Sequence, residues 1–520
     1  MKRFAFVALA SASVITVAEE LPMEHVLVSV PLHKKQAETA LPVTVLTGEE
    51  LQRQAAATIG ETLGSKPGIA NSSFGPGVGR PVIRGQQGPR AITLQNGTLS
   101  ADVSSLSPDH GVAVEALLAE SIEVLRGPAT LLYGGGAIGG VVNVIDNRIP
   151  RAPIDGLQGG VEYRYDDATD MDSGVGRLEA GNGSFAFHLS GSTRETDDLD
   201  IPGKAIDEKA LEEQEELLGG HEEGEEHEEE EVENTDGYIA NTDSDTDVVT
   251  GGFSFHFGER GFAGFAVSHL DTEYGIPPGS HGHEEHEEEH GDEEHEEEEE
   301  FVRIDMEQTR YDGILHLHDP FSGVEVVRGF LTYTDYEHKE LEGTEVGTKF
   351  DRDTWETRLE VVHDPIFGAH GVIGFQWRDD QFEAKGEEAY VPETDSTEIG
   401  LFLVEDFHTG NWTYELGIRG DWVDRDPDAQ TTGSEDFTSF SLSGSALWTI
   451  GDGWHAGASL SRSARAPSTE ELFSNVDATD PEELVTHAAT GIIEVGDSDL
   501  DEEVSNNLDL SVGWTGERSW

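Results

Sequence analysis

The sequence predicts a mostly β protein, in which a small N-terminal α+β domain acts as a plug inside a transmembrane antiparallel β-barrel. Three observations predict it. From about residue 157 onward, apolar and polar residues alternate over runs of roughly ten, with aromatics at the segment ends, as strands between lipid and a polar lumen require. The first residues read as an export signal. No internal run of about 18 apolar residues exists, and 36% hydrophobics with 61 glycines argue against helical spans. A soluble β-sandwich also alternates, but its strands are shorter and two sheets leave fewer polar faces.

Taken in order, Met1-Lys2-Arg3 precede an apolar run from Phe4 to Val17 that ends in small residues near Ala18. A positive start and a short apolar core make residues 1–18 a signal peptide. Residues 19–39 form an extended segment and linker. The compact domain spans 40–150. Thr47-Gly48-Glu49-Glu50 opens one helix as a capping box and Thr58-Ile59-Gly60-Glu61 opens a second. Lys66-Pro67-Gly68-Ile69 stops the second helix and starts a strand. Ile122 to Leu125 and Val141 to Ile145 read as further strands between Gly-rich turns. The five glycines among residues 134–140 permit tight turns and close strand packing.

Residues 151–520 carry the barrel pattern. Val161, Tyr163 and Tyr165 alternate with Glu162, Arg164 and Asp166, and Trp355, Thr357, Leu359 and Val361 with Glu356, Arg358 and Glu360. Trp412 to Ile418, Phe440 to Trp448 and Leu508 to Trp514 repeat the alternation. About 14 strands fit through Trp520. A barrel wide enough to enclose a domain needs about 22, so the chain is expected to be C-terminally truncated by several strands.

With 106 acidic residues against 32 Lys+Arg, the net charge is −74. Phosphate binding needs clustered cations, so nucleic acid is excluded as a partner and cations are favoured. The absence of cysteine excludes disulfides, thiolate zinc sites and Cys nucleophiles. An enzyme is not expected: no GxSxG occurs, no Gly-Lys-Ser/Thr follows the glycine run, and carboxylates inside poly-Glu blocks lack the fixed separation of acid–base pairs.

Two acidic blocks, within expected loops 205–244 and 272–301, interrupt the strands. The first contains His221 and His227, the second His281, His283, His286, His290 and His295. Imidazole with carboxylate suits Zn²⁺, Ni²⁺ or Cu²⁺, and four methionines with no thiolate argue against Cu(I). These histidines are read as a multi-site loop that gathers cations weakly. A tight site needs ligands on firmer elements. Asp109-His110, between Pro108 and Gly111 on a turn of the N-terminal domain, is one candidate pair. Glu340 and His487, both placed in barrel loops, are others, with Lys339 able to pair with Glu340 or Glu342 and withdraw them.

The run Val82-Ile83-Arg84-Gly85, Pro89-Arg90, Asn96-Gly97, then Ile122 through Pro128 and on to Asn143, strongly resembles the plug of TonB-dependent outer-membrane receptors. It departs in having Asn96-Gly97 where many members have Asp-Gly. Glu24, His25, Val26, Leu27, Val28, Ser29 and Val30 resemble the family's energy-coupling (TonB) box, and Ser463 to Pro467, Glu470 to Phe473 and Asp497 to Leu500 resemble its barrel motifs. The resemblance implies a monomeric receptor among the lipids of a Gram-negative outer membrane, driven by a periplasmic TonB-type partner. Such a partner can pair with the box as an added β-strand. Zinc-uptake members look similar in their His-rich loops and in an acid–His pair on the plug apex. That likeness implies that Asp109, His110, Glu340 and His487 converge on one transported ion, Zn²⁺, with Ni²⁺ or Cu²⁺ also accommodated. A haem or siderophore receptor is the first alternative, because His487 lies where haem receptors place an axial ligand. A surface protein that sequesters metal without transport is the second.

Overall fold

The computed structural model describes residues 42–134, 137–207, 209, 234–278, 301–343, 345–386, 389–451, 453–486 and 492–514. The expected signal peptide, the segment Glu24 to Val30, all seven histidines of the acidic blocks and His487 lie outside the described residues.

The N-terminal domain contains β1 (Val43–Thr47), β2 (Ile69–Ser73), β3 (Gly79–Ile83), β4 (Ala91–Gln95), β5 (Thr98–Leu99), β6 (Ser121–Leu125) and β7 (Gly140–Ile145), with α1 (Gly48–Gln54) and α2 (Ile59–Leu63). Its sheet runs β1-β6-β7-β4-β5, beside a β2–β3 hairpin. The helix α2 is capped as the sequence predicts, Thr58 Oγ1 accepting from the Glu61 amide at 3.2 Å. The helix α1 departs from prediction, with no side-chain cap. Because β1 pairs Thr47 with Ser121, the Thr47 hydroxyl instead donates to the neighbouring Glu120 carbonyl at 3.1 Å. The glycine run does pack closely: a Cβ on Gly139 or Gly140 would lie 2.5 Å from Gln86 Cβ or Ile83 Cδ1 respectively.

The barrel sheet comprises β8 (Asp155–Asp166), β9 (Met171–Asn182), β10 (Phe185–Thr196), β13 (Ser244–His256), β14 (Gly261–Gly275), β15 (Val302–Phe321), β16 (Val324–Glu342), β17 (Glu345–Ile366), β18 (Ala369–Gly386), β19 (Thr394–Thr409), β20 (Trp412–Pro427), β21 (Glu435–Gly451), β22 (Trp454–Arg465) and β23 (Glu503–Trp514). A separate ribbon of β11 (Leu199–Lys204) and β12 (Asp236–Ile239) rises between β10 and β13, placing paired backbone inside the expected loop 205–244. The helix α3 (Thr469–Phe473) follows β22. The fourteen barrel strands form one antiparallel meander, the number read from the alternation. Among the described residues β8 and β23 are its edges and the sheet does not close.

The burial pattern inverts that of a soluble protein. On β17, Trp355 and Leu359 are 44% and 42% exposed while Arg358, between them, is 2% exposed. Inward polar groups meet the backbone of the N-terminal domain rather than water. Arg310 donates to the Leu99 carbonyl at 2.6 Å, Arg352 to the Asp102 carbonyl at 2.6 Å, and Arg358 and Arg419 to the Leu132 carbonyl at 2.7 and 3.2 Å. The domain is therefore seated against the concave face, as a plug. Turns of two to four residues, such as 183–184, 257–260 and 322–323, join strands at one end, and long connections at 197–243, 276–301 and 466–502 mark the other as extracellular. Trp412, stacked on Tyr414 and Trp448 at 5.9 and 5.6 Å, contributes to an aromatic girdle at the periplasmic end.

Candidate metal centre

The plug loop that carries Asp109 and His110 is built from the inside. The Arg80 guanidinium donates to the carbonyls of Ser104 and Ser107 at 2.8 and 2.7 Å, and Asp102 accepts from the amides of Ser104 and Ala113. From the barrel wall, the Tyr274 hydroxyl on β14 accepts from the Gly111 amide at 2.8 Å and donates to the Asp109 carbonyl at 3.2 Å. One phenol thus brackets the tripeptide Asp109–Gly111. Asp109 and His110 are both fully buried.

The structure places Glu340 on strand β16 rather than in a loop, because pairing with β15 and β17 extends to Glu342. Period-two alternation then turns Glu340 inward and Lys339 away. Lys339 accordingly pairs with Glu337 at 2.5 Å and Asp305 at 3.5 Å rather than with Glu340. Glu340 Oε1 instead lies 2.8 Å from His110 Nε2, with Asp109 Oδ2 3.9 Å from the same nitrogen. Asp109 also accepts from the Ser107 hydroxyl. The structure thus brings three of the four residues, Asp109, His110 and Glu340, close together, and the fourth, His487, lies outside the described residues.

His338 completes the cluster and was not among the candidates drawn from sequence. It shares the inward face of β16 with Glu340, two residues away, which is the signal that would have found it. One ligand-type atom from each of His110, His338 and Glu340 lies within 4.8 Å of the others, and all three residues are buried. The two imidazole rings lie 4.3 Å apart, and Phe350 closes on both at 5.3 and 5.5 Å. Tyr274, Tyr336, Phe350, Phe382 and Tyr390 belong to the buried cluster around them.

Hydrogen bonding fixes what the centre can hold. His110 Nδ1 is 3.1 Å from the Val103 carbonyl, which can only accept, so Nδ1 carries a hydrogen. Nε2 therefore faces two carboxylates, and only a proton or another cation on that side reconciles them. Burial pulls the His110 pKa down, but the Asp109 charge and the Glu340 hydrogen bond outweigh it and the net shift is upward. A second set of charges ties plug to barrel elsewhere: Arg90 bonds Glu471 and Glu503 at 3.1 and 2.9 Å, and Arg465 bonds the same two carboxylates.

A membrane β-barrel stoppered by its own N-terminal domain defines a class, the plugged outer-membrane receptor. The family follows from the sequence: residues 231–520 match the TonB dependent receptor-like β-barrel family and residues 35–141 the TonB-dependent receptor plug domain, so the chain belongs to the TonB-dependent receptors. These are outer-membrane transport proteins, not enzymes. The chain is similar to a hemin receptor of Yersinia pestis, 36% identical over 107 residues, covering 20% of this chain and 15% of that one. It is also similar to the vitamin B12 transporter BtuB of Photobacterium profundum, 30% identical over 154 residues, covering 29% and 25%. The matches thus span a quarter or less of these relatives. In structure it resembles the copper transporter OprC, with a TM-score of 0.66 at 15% identity, covering 91% of this chain and 69% of that one. The siderophore receptor PirA of Pseudomonas aeruginosa gives 0.60 at 16% identity, covering 91% and 72%. At such identities the likeness concerns the fold.

Proposed function

We propose that this receptor imports a divalent metal ion of the borderline class, zinc foremost, across the outer membrane. One observation supports the reading: two imidazoles and the Glu340 carboxylate are buried with ligand atoms within 4.8 Å of one another, Asp109 stands 3.9 Å from His110 Nε2, and that nitrogen is turned to both carboxylates, where a proton or a metal cation fits. Asp109 and Glu340 as carboxylates with two neutral imidazoles would balance a dication, and N/O donors suit Zn²⁺. Aromatic walls within 5.5 Å of both rings favour a bare ion over a haem, whose macrocycle would have to displace Phe350. In this reading His221, His227 and His281 to His295 gather the ion outside, and His487 adds a ligand from the loop beyond α3. A periplasmic TonB-type protein pairs with residues 24–30 as an added strand and transmits the force that frees the cargo. The receptor works as a monomer.

Competitive Zn²⁺ titration of the purified receptor tests this. One tight site is expected, lost in His110→Ala and Glu340→Ala. Haem binding with a Soret shift that disappears in His487→Ala, together with no Zn²⁺ binding, would overturn it.

A further inference from the structure

Tyr274 stands near the end of β14, on the face where Ala266, Ser268, Leu270 and Thr272 alternate as buried residues. Two plug loops clasp its ring. A Cβ on Gly77 would lie 2.7 to 2.8 Å from Tyr274 Cβ, Cγ and Cδ2, and one on Gly111 would lie 3.2 Å from the hydroxyl oxygen. Tyr274 and Ile276 also pack in one apolar cluster with Val78 and Val103 of the plug, so the ring that carries the hydroxyl is fixed. The hydroxyl then grips the peptide groups on either side of the His110 Cα, one through the Asp109 carbonyl and the other through the Gly111 amide. Each peptide group is planar, so holding both planes fixes the two backbone torsions of His110 and with them the direction of its Cβ. The Val103 carbonyl sets the rotation of the imidazole. In the barrel, Tyr274 pairs with Ile304 and Ile304 pairs with Glu340. The residue that holds the His110 backbone and the carboxylate that meets His110 Nε2 therefore share one cross-strand row, two strand spacings or about 10 Å apart.

We infer that Tyr274 is a positioning residue for the cargo centre, an inference that rests on reading His110, His338 and Glu340 as that centre. The ligand set is drawn from two bodies, His110 from the plug and His338 with Glu340 from the barrel, with Asp109 beside His110. The barrel sheet acts as the ruler between them. Its row sets the distance from Tyr274 to Glu340, and the Tyr274 hydroxyl transfers that register to the His110 backbone. The two bonds are short, at 2.8 and 3.2 Å. A shift of the plug turn by about 1 Å carries both beyond hydrogen-bond range. His110 then loses its fixed setting opposite Glu340, so the ligands face one another only while the plug is seated.

Zn²⁺ competition on the purified full-chain receptor, carried through a double-mutant cycle, tests the role. Tyr274→Phe keeps the ring against Gly77 and removes only the hydroxyl. Outer-shell partners of metal ligands change affinity by about 10- to 100-fold, and the Kd of this variant should weaken by about 10-fold. Gly111→Ala brings a Cβ to 3.2 Å from the same hydroxyl, at a backbone conformation open to alanine, and should weaken binding as well. With phenylalanine at 274 the nearest ring atoms stand 3.5 and 3.6 Å from that Cβ, an ordinary contact, so Gly111→Ala should cost little more there. The two losses should therefore fall well short of additive. Additive losses would mean that each substitution merely loosens the protein, and would overturn the positioning role. Co²⁺ bound in place of Zn²⁺ adds a spectroscopic reading, since its visible bands report ligand number and geometry. Those bands should weaken in Tyr274→Phe and in Gly111→Ala. Should Tyr274→Phe not assemble, Gly111→Ala alone decides by the same two readings. Unchanged Kd and unchanged bands overturn the role of Tyr274 and leave the proposed function standing. An unaltered receptor that binds no Zn²⁺ overturns the proposed function and this inference with it.

Discussion

At the scale of single residues, the proposed apical centre would depend on the groups that orient its candidate ligands as well as on the ligands. Tyr336 lies on the inward face of β16 with its hydroxyl 3.0 Å from His338 Nδ1, and the Val103 carbonyl orients His110 in the same manner. Partners of this kind commonly change metal affinity by about 10- to 100-fold. Tyr336→Phe should therefore weaken Zn²⁺ binding by about 10-fold, and His338→Ala, which removes a donor, should weaken it further. Lys339→Ala lies between them and Glu340 in sequence but faces the other way, and its affinity should match the unaltered receptor. Equilibrium competition against a chromogenic chelator measures all three, and a loss in Lys339→Ala equal to that in His338→Ala would show the alternation to be misread.

At the scale of elements, the alternation of β17, β20 and β23 was plain in the sequence because lipid and lumen impose opposite demands every second residue. The pair Asp109-His110 was plain because its members adjoin. The union of His110 with Glu340 was not, since 230 residues separate them and only seating of the plug brings them together. Glu340 was mistaken for a loop residue because β16 and β17 extend well past the expected ten residues, to 19 and 22. The link between α3 and the plug gives a pH prediction. Burial raises the Glu471 pKa, but hydrogen bonds from Arg465 and the Ser468 amide, with the charges of Arg465 and Arg90, outweigh it and bring the pKa down to about 2 from an ordinary 4.5. A depressed carboxylate stabilises the fold fully above its unfolded value and loses that contribution as pH falls from about 4.5 toward 2. Acid unfolding followed across that window should be shallower in Glu471→Gln than in the unaltered receptor. Equal slopes would mean that the Arg90–Arg465–Glu471–Glu503 group does not hold the plug.

At the scale of the whole molecule, the proposed cation uptake implies that the −74 charge acts on the encounter rather than on the bound ion. Long-range attraction between the acidic blocks and a dication is screened within about 10 Å at 0.1 M salt and about 3 Å at 1 M. An ion held as proposed by His110, His338 and Glu340 would sit instead among buried ligands, where screening by salt is weak. The two rates should therefore separate. Stopped-flow measurement is expected to show the Zn²⁺ association rate falling steeply with ionic strength while the dissociation rate holds nearly constant. A variant lacking residues 281–300 should begin with a slower association rate, a shallower salt dependence and fewer weakly bound ions, while the tight site keeps its dissociation rate. If dissociation rises with salt as strongly as association falls, the ion that is measured is held by the exposed blocks, and the sealed centre at His110 is not where the cargo rests.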